Sequence, residues 1–163
     1  MYLSNTQFSA ILDGIDLNLA TGSHLYYSDF IIELRRLQRD EGHGRDYVIA
    51  GSPSCRFPDG IMGPDISKVL GVVPHMVDLL FVHYRSDLCN TKNRKSFFHN
   101  FLTWLRFSAR NEGPVVYVGL PADVGAHSGH HSIFRNPDEL AIIYKVGIVF
   151  RRTLSEIVKL KQF

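Results

Sequence analysis

The residues with the most chemical potential in this chain lie in one short segment, Leu12-Asp13-Gly14-Ile15-Asp16-Leu17-Asn18-Leu19-Ala20. Side chains alternate along a strand, so Asp16, Asn18 and Ala20 would share one face while Leu17 and Leu19 took the other. That face carries a carboxylate, an amide and a methyl group in a row. Taken alone, the same residues also read as a buried parallel strand entered through a tight Asp-Gly turn. A second group, His83, Tyr84 and Arg85, has the side-chain types that bind a sugar or a partner protein, or equally a packed Tyr beside a solvent-facing Arg. A third, Asp123 with His127, His130 and His131, has spacings that a loop could fold around zinc. No strand or helix holds that loop, so no metal is assigned. Cys55 and Cys89 are either two free thiols or one disulfide, and composition alone does not choose.

These residues need elements to position them. A short apolar run is followed by a helical pattern five times, with Gly, Pro, Asn or Asp at most joints. The runs are 11–19, 47–50, 79–84, 115–120 and 147–150. The helical stretches are 28–39, roughly 65–70, 96–110, 137–145 and 153–161. In the first helix Phe30, Ile31, Leu34 and Leu37 are placed on one face. In the third, Trp104 lies with Phe97, Phe98, Phe101 and Leu105 at helical spacing and reads as core. Strand alternating with helix predicts parallel βα units. No glycine-rich phosphate turn follows any strand, and the unusual polar residues gather at strand C-terminal ends, where barrel active sites sit. The expected fold is therefore α/β, of the (β/α)₈ barrel type. A closed barrel takes about 250 residues and eight units, so five units predict a partial barrel with bare edges.

Composition bounds the function classes. The chain has 163 residues, 45 % apolar and 21 % charged, which is an ordinary globular balance. Its net charge of +2 is spread along the chain rather than blocked, which argues against a nucleic-acid or membrane-surface partner. No run approaches the ~20 apolar residues of a membrane span. The first residues, MYLSNTQFSA, have neither a basic nor an apolar region of the secretory kind.

Four segments in order resemble one family. Asp13 to Ala20, read as DGIDLNLA, is similar to the D-G-x-D-x-D-x-E pattern on the fourth barrel strand of glycoside hydrolase family 18, in its plant class III, hevamine-type branch. Tyr47 to Asp59 resembles the fifth strand and its loop, with one residue inserted. Val82 to Cys89 resembles the sixth, and Tyr117-Val118-Gly119-Leu120-Pro121-Ala122 the seventh, F-L-G-L-P-A. The resemblance covers about residues 11 to 150 and implies strands four to eight of the barrel. Residues 1–163 are thus expected to form one chitinase-like domain without the earlier units.

The resemblance implies roles as well as a fold. In the family the final Glu of the pattern protonates the leaving oxygen, and the preceding Asp orients the substrate's acetamido group, which serves as nucleophile. Those positions match Ala20 and Asn18. A methyl group cannot donate a proton, so no catalytic residue is expected, and Asp13, Asp16, Asn18 and Ala20 form a degenerate motif. An active endochitinase cleaving β-1,4-N-acetylglucosamine polymers would need Asp16, Asp87 or Asp123 as a substitute acid; a truncated, non-functional product is the other alternative. Expected binding residues are Asp16, Asn18, His83, Tyr84 and Arg85. His83, Tyr84 and Arg85 are all placed at the rim, and either Tyr84 or Arg85 matches a family Tyr that contacts the acetamido group. The family's stacking Trp near strand eight is matched by Arg151. The resemblance also implies a Cys55–Cys89 disulfide, and through it secretion and a plant source. Tyr84-Arg85-Ser86-Asp87 resembles the Y-E-S-D of xylanase inhibitor proteins, so the expected partner is a chitin-like oligosaccharide or a glycosidase. No cofactor is implied.

Overall fold

The computed structural model describes residues 12–18, 23–40, 47–63, 68–85, 89, 91–110, 113–121 and 138–141. Four strands, β1 (Gly14–Leu17), β2 (Val48–Gly51), β3 (Leu79–His83) and β4 (Val115–Gly119), form one parallel sheet in the order β1-β2-β3-β4. Helix α1 (Tyr27–Asp40) lies between β1 and β2 in the chain, and the short α2 (Val69–Val72) between β2 and β3. A 3₁₀ turn, Pro74–Met76, follows α2, and α3 (Arg94–Arg110) precedes β4. The order never reverses, so the sheet has no switch point of the doubly wound kind. It is an arc of a singly wound (β/α)₈ barrel.

Register follows the apolar patterning. Gly14 to Leu17 pair with Val48 to Gly51, Ala50 and Gly51 with Leu79 and Leu80, and Leu79 to His83 with Val115 to Gly119. Gly14 sits so close to the Val48 backbone that a Cβ there would collide with it, which explains a glycine at the start of β1. One face of the sheet, with Leu17, Ile49, Leu80, Val82 and Tyr84 buried, packs against Ile31 of α1 and Phe97, Phe101 and Trp104 of α3. Burial of this helix-facing layer favours folding by about 25 cal/mol per Å² of apolar surface removed from water.

The third helix runs as its spacing predicts, and Asn93 caps it by accepting a 3.1 Å hydrogen bond from the Ser96 N–H. In α1 the buried stripe differs from expectation. Tyr27, Ile31 and Leu34 turn toward the core, whereas Phe30 and Leu37 are exposed. The reason is Arg35. Its guanidinium also turns toward the sheet and reaches the carbonyls of Met76 (2.8 Å) and Tyr47 (2.7 Å) and the carboxylate of Asp78 (2.6 Å), which rotates the contact face. Asp78 in turn accepts the Ile49 N–H at 2.7 Å, and its backbone bridges Ile49 and Val115. This cluster clamps the entry ends of β2, β3 and β4, at the opposite end from the mouth. Helix α2 is one turn and stops before Pro74, which cannot continue a helix. The predicted fifth strand (147–150) and last helix (153–161) lie outside the described residues. Among those described, no helix is long and apolar enough to cross a membrane.

Candidate functional site

The site is assembled on the sheet face opposite the helices. Alternation on β1 turns Ile15 and Leu17 to the helices and Asp16 and Asn18 to the open face, where both are exposed. On β2 the same rule turns Ile49 to the core and brings Ser52, just beyond the strand, beside Asp16. The Ser52 hydroxyl donates to the Asp16 carboxylate, 2.9 Å from Oδ2 and 3.1 Å from Oδ1. Ser52 is 6 % exposed, so its oxygen is a fixed anchor and Asp16 is held in one orientation. Asp13 lies before the strand and contributes its carbonyl to the Val48 N–H, away from the mouth. Ala20 lies outside the described residues.

Strand β3 supplies the next column. Leu80, Val82 and Tyr84 face the helices; Phe81 and His83 face the open side. His83 is half-buried, and burial lowers its imidazole below the usual histidine range; the positive charge of Arg85 adds to this and the Asp16 carboxylate opposes it. These three groups therefore share one neighbourhood. Gly119 on β4 makes room for the ring, since a Cβ there would lie 2.8 Å from the imidazole Cδ2. One level down, Phe81 and Tyr117 lie with ring centroids 5.5 Å apart.

Tyr84 departs from its expected place at the rim. Its side chain is completely buried on the helix face, with its ring 4.6 Å from that of Phe97. Alternation is the cause: two residues after Val82, position 84 must point to the core, and position 85 to the mouth. Arg85 accordingly is exposed and is the residue of that pair on the open side. Burial also pushes the Tyr84 phenol well above its ordinary value, and among the described residues its hydroxyl has no hydrogen-bond partner.

The rim is braced by two loops. Cys55 after β2 and Cys89 after β3 form a disulfide, Cα atoms 5.9 Å apart, with both residues buried. The Trp104 indole donates to the Cys55 carbonyl at 3.2 Å, and the Phe57 ring meets Trp104 edge-on at 4.9 Å. Trp104 is thus core, as its spacing predicts. Asp59, 6 % exposed, accepts from the Ser54 N–H and hydroxyl and from the N–H groups of Ile61 and Met62 at 2.7–3.0 Å. Sequence reading missed both Ser52 and Asp59. The usable signal for Ser52 was its position two residues past inward-facing Ala50 on the strand next to Asp16. Asp87, Asp123, His127, His130, His131 and Arg151 lie outside the described residues; among those described, no three His, Cys, Asp or Glu residues sit together as a metal site would need.

Sequential parallel strands, helices on one face and polar groups at the strand C-terminal ends define the described residues as an arc of a (β/α)₈ barrel. No family model matches it. It is 31 % identical over 126 residues to Chitinase 1 of Rhizopus niveus, covering 76 % of this chain and 23 % of that protein. It is 29 % identical over 119 residues to the acidic endochitinase of Vitis vinifera, covering 72 % and 37 %. Among solved structures, the xylanase and alpha-amylase inhibitor protein XAIP-II of Scadoxus multiflorus superimposes with a TM-score of 0.63 at 21 % identity, covering 85 % of this chain and 48 % of the other. The ICChI chitinase of Ipomoea carnea gives 0.60 at 24 %, covering 79 % and 43 %. The chain is thus similar to chitinases, in keeping with its resemblance to the hevamine type of glycoside hydrolase family 18, and spans less than half the length of each of these relatives.

Proposed function

We propose that this chain is a non-hydrolytic chitinase-like protein that binds a chitin-type oligosaccharide. The observation that carries this reading is the sequence of the segment that forms and follows β1. The position corresponding to the proton donor is Ala20, its neighbour is the amide Asn18, and the remaining carboxylate, Asp16, is engaged by the Ser52 hydroxyl. Losing a general acid removes about 10²–10⁴-fold of rate before the change at Asn18 is counted. Binding asks less of the site. Asp16 and Asn18 offer acceptors and donors to sugar hydroxyls, and His83 and Arg85 continue the polar rim. Residues 1–163 are taken as one such domain, and the Cys55–Cys89 disulfide supports an oxidising compartment and hence secretion.

Glycosidase inhibition is the second reading. The Tyr84-Arg85-Ser86-Asp87 resemblance to xylanase inhibitors, with Arg85 exposed, favours it. Isothermal titration of the oxidised chain with a chitin tetramer, with released sugar assayed in the same sample, separates the cases. Heat of binding without release is the expected result. A folded sample that binds no sugar but slows a xylanase would move the assignment to inhibition, and sugar release would overturn the claim about Ala20.

A further inference from the structure

The open face carries its charge unevenly. Asp16 is tied to Ser52, whereas His83 and Arg85 stand two residues apart at the end of β3 on the same face, and among the described residues no acidic group forms an ion pair with Arg85. Arg85 is exposed, as a ligand-reading group must be, and the chain before it is anchored by the buried Tyr84 ring and the Tyr84 N–H bond to the Gly119 carbonyl, 2.9 Å. A guanidinium on a fixed backbone is suited to a planar oxyanion, which it grips with two parallel N–H groups. Gly119 leaves the imidazole of His83 unobstructed beside it.

We propose that this mouth selects sugar chains bearing an anionic group, a carboxylate or a sulfate, with Arg85 as the residue that reads the charge and His83 as an additional donor. The proposal rests on the carbohydrate-binding reading and refines it. The neutral part of the sugar is held by Asp16 and Asn18, and the anionic substituent points to the end of β3. The charged groups around His83 set its pH response. Asp16 faces it from β1 and Arg85 from its own strand; β2 contributes Ser52 and Ser54, and β4 contributes Gly119 and Tyr117, none charged at neutral pH. His83 is neutral at pH 7, so its charge adds to that of Arg85 only as the pH falls below the ordinary histidine range.

The test uses the full 163-residue chain, oxidised, at low salt and pH 7, titrated in turn with a neutral chitin tetramer, a tetramer of galacturonic acid and a 6-O-sulfated chitin tetramer. An anionic tetramer is expected to bind about tenfold more tightly than the neutral one, the worth of one charge-assisted contact. The gap should widen toward acid pH and narrow with added salt. The uronate and sulfate arms tell the two anions apart. Arg85→Gln should cost the anionic tetramer about tenfold more than it costs the neutral one, and Arg85→Lys should restore only part of that difference. His83→Gln should remove the pH-dependent widening alone. Equal affinity for neutral and anionic tetramers, or an anionic preference that survives Arg85→Gln, overturns this proposal while sparing the reading beneath it. Failure of a folded chain to bind any of the three overturns both.

Discussion

Tyr84 and Arg85 adjoin in sequence and part company in space, and each makes a different prediction. Tyr84 buries a hydroxyl without a partner among the described residues, a cost of about 1–3 kcal/mol that an apolar ring of the same shape avoids. Tyr84→Phe is therefore expected to raise the unfolding free energy by about 1 kcal/mol in urea titration, and an unchanged or lower midpoint would show that the hydroxyl is satisfied. His83 carries a pH dependence whose sign follows from burial. Its folded-state pKa lies below that of the unfolded chain, so the unfolded chain takes up the proton first as pH falls. Stability from the neutral imidazole is present above the ordinary histidine range and declines as pH drops through it. In His83→Gln that part of the decline should flatten in thermal melts from pH 7.5 to 5. Ser52→Ala removes the one hydroxyl that orients Asp16, and should weaken sugar binding while costing about 1 kcal/mol of stability.

At the scale of elements, the sheet is set at both ends by buried polar groups. Arg35, with its side chain 16 % exposed, ties α1 to the carbonyls of Tyr47 and Met76 and to Asp78 at the entry end. Its removal leaves several polar groups without partners, so Arg35→Ala should cost about 2–3 kcal/mol, with Arg35→Lys recovering only a fraction because an ammonium cannot reproduce the fork. A chemical denaturation series on the three proteins checks this, and a loss below 0.5 kcal/mol, the level of ordinary surface substitutions, would place the cluster outside the stable core. At the mouth end, the loop after β2 depends on Asp59 and its four accepted hydrogen bonds. The β3 strand was legible as a short apolar run, and Leu80 and Val82 have the apolar type their buried positions demand. The contact face of α1 was not, because an arginine joined the buried stripe and no apolar pattern announces that.

The described residues form an arc of barrel whose second face leaves Val48, Phe81, Val115 and Tyr117 each between 36 % and 49 % accessible. Among the described residues, one sheet face and one helix layer supply the core. The disulfide carries a further share of stability. It closes a separation of 34 residues, for which the loop-entropy model gives about 3–4 kcal/mol. Reduction should lower the thermal midpoint by many degrees, read by circular dichroism with and without reductant; a shift of a degree or two would mean that the two loops are held by Trp104 and Asp59 instead.

The sequence by itself determined the α/β rhythm, the four strands at close to their observed bounds, the aromatic core of α3 and the placement of Asp16 and Asn18 on one face, because each follows from local periodicity of 2 or 3.6 residues. Resemblance supplied the pairing of Cys55 with Cys89, and the structure bears it out. Only the tertiary structure decided that Ser52 holds Asp16, that Tyr84 is core while Arg85 meets the mouth, and that Arg35 joins α1 to the entries of β2 and β3. Each of those depends on register between segments far apart in the chain, and a shift of one residue would have turned every side chain to the opposite face.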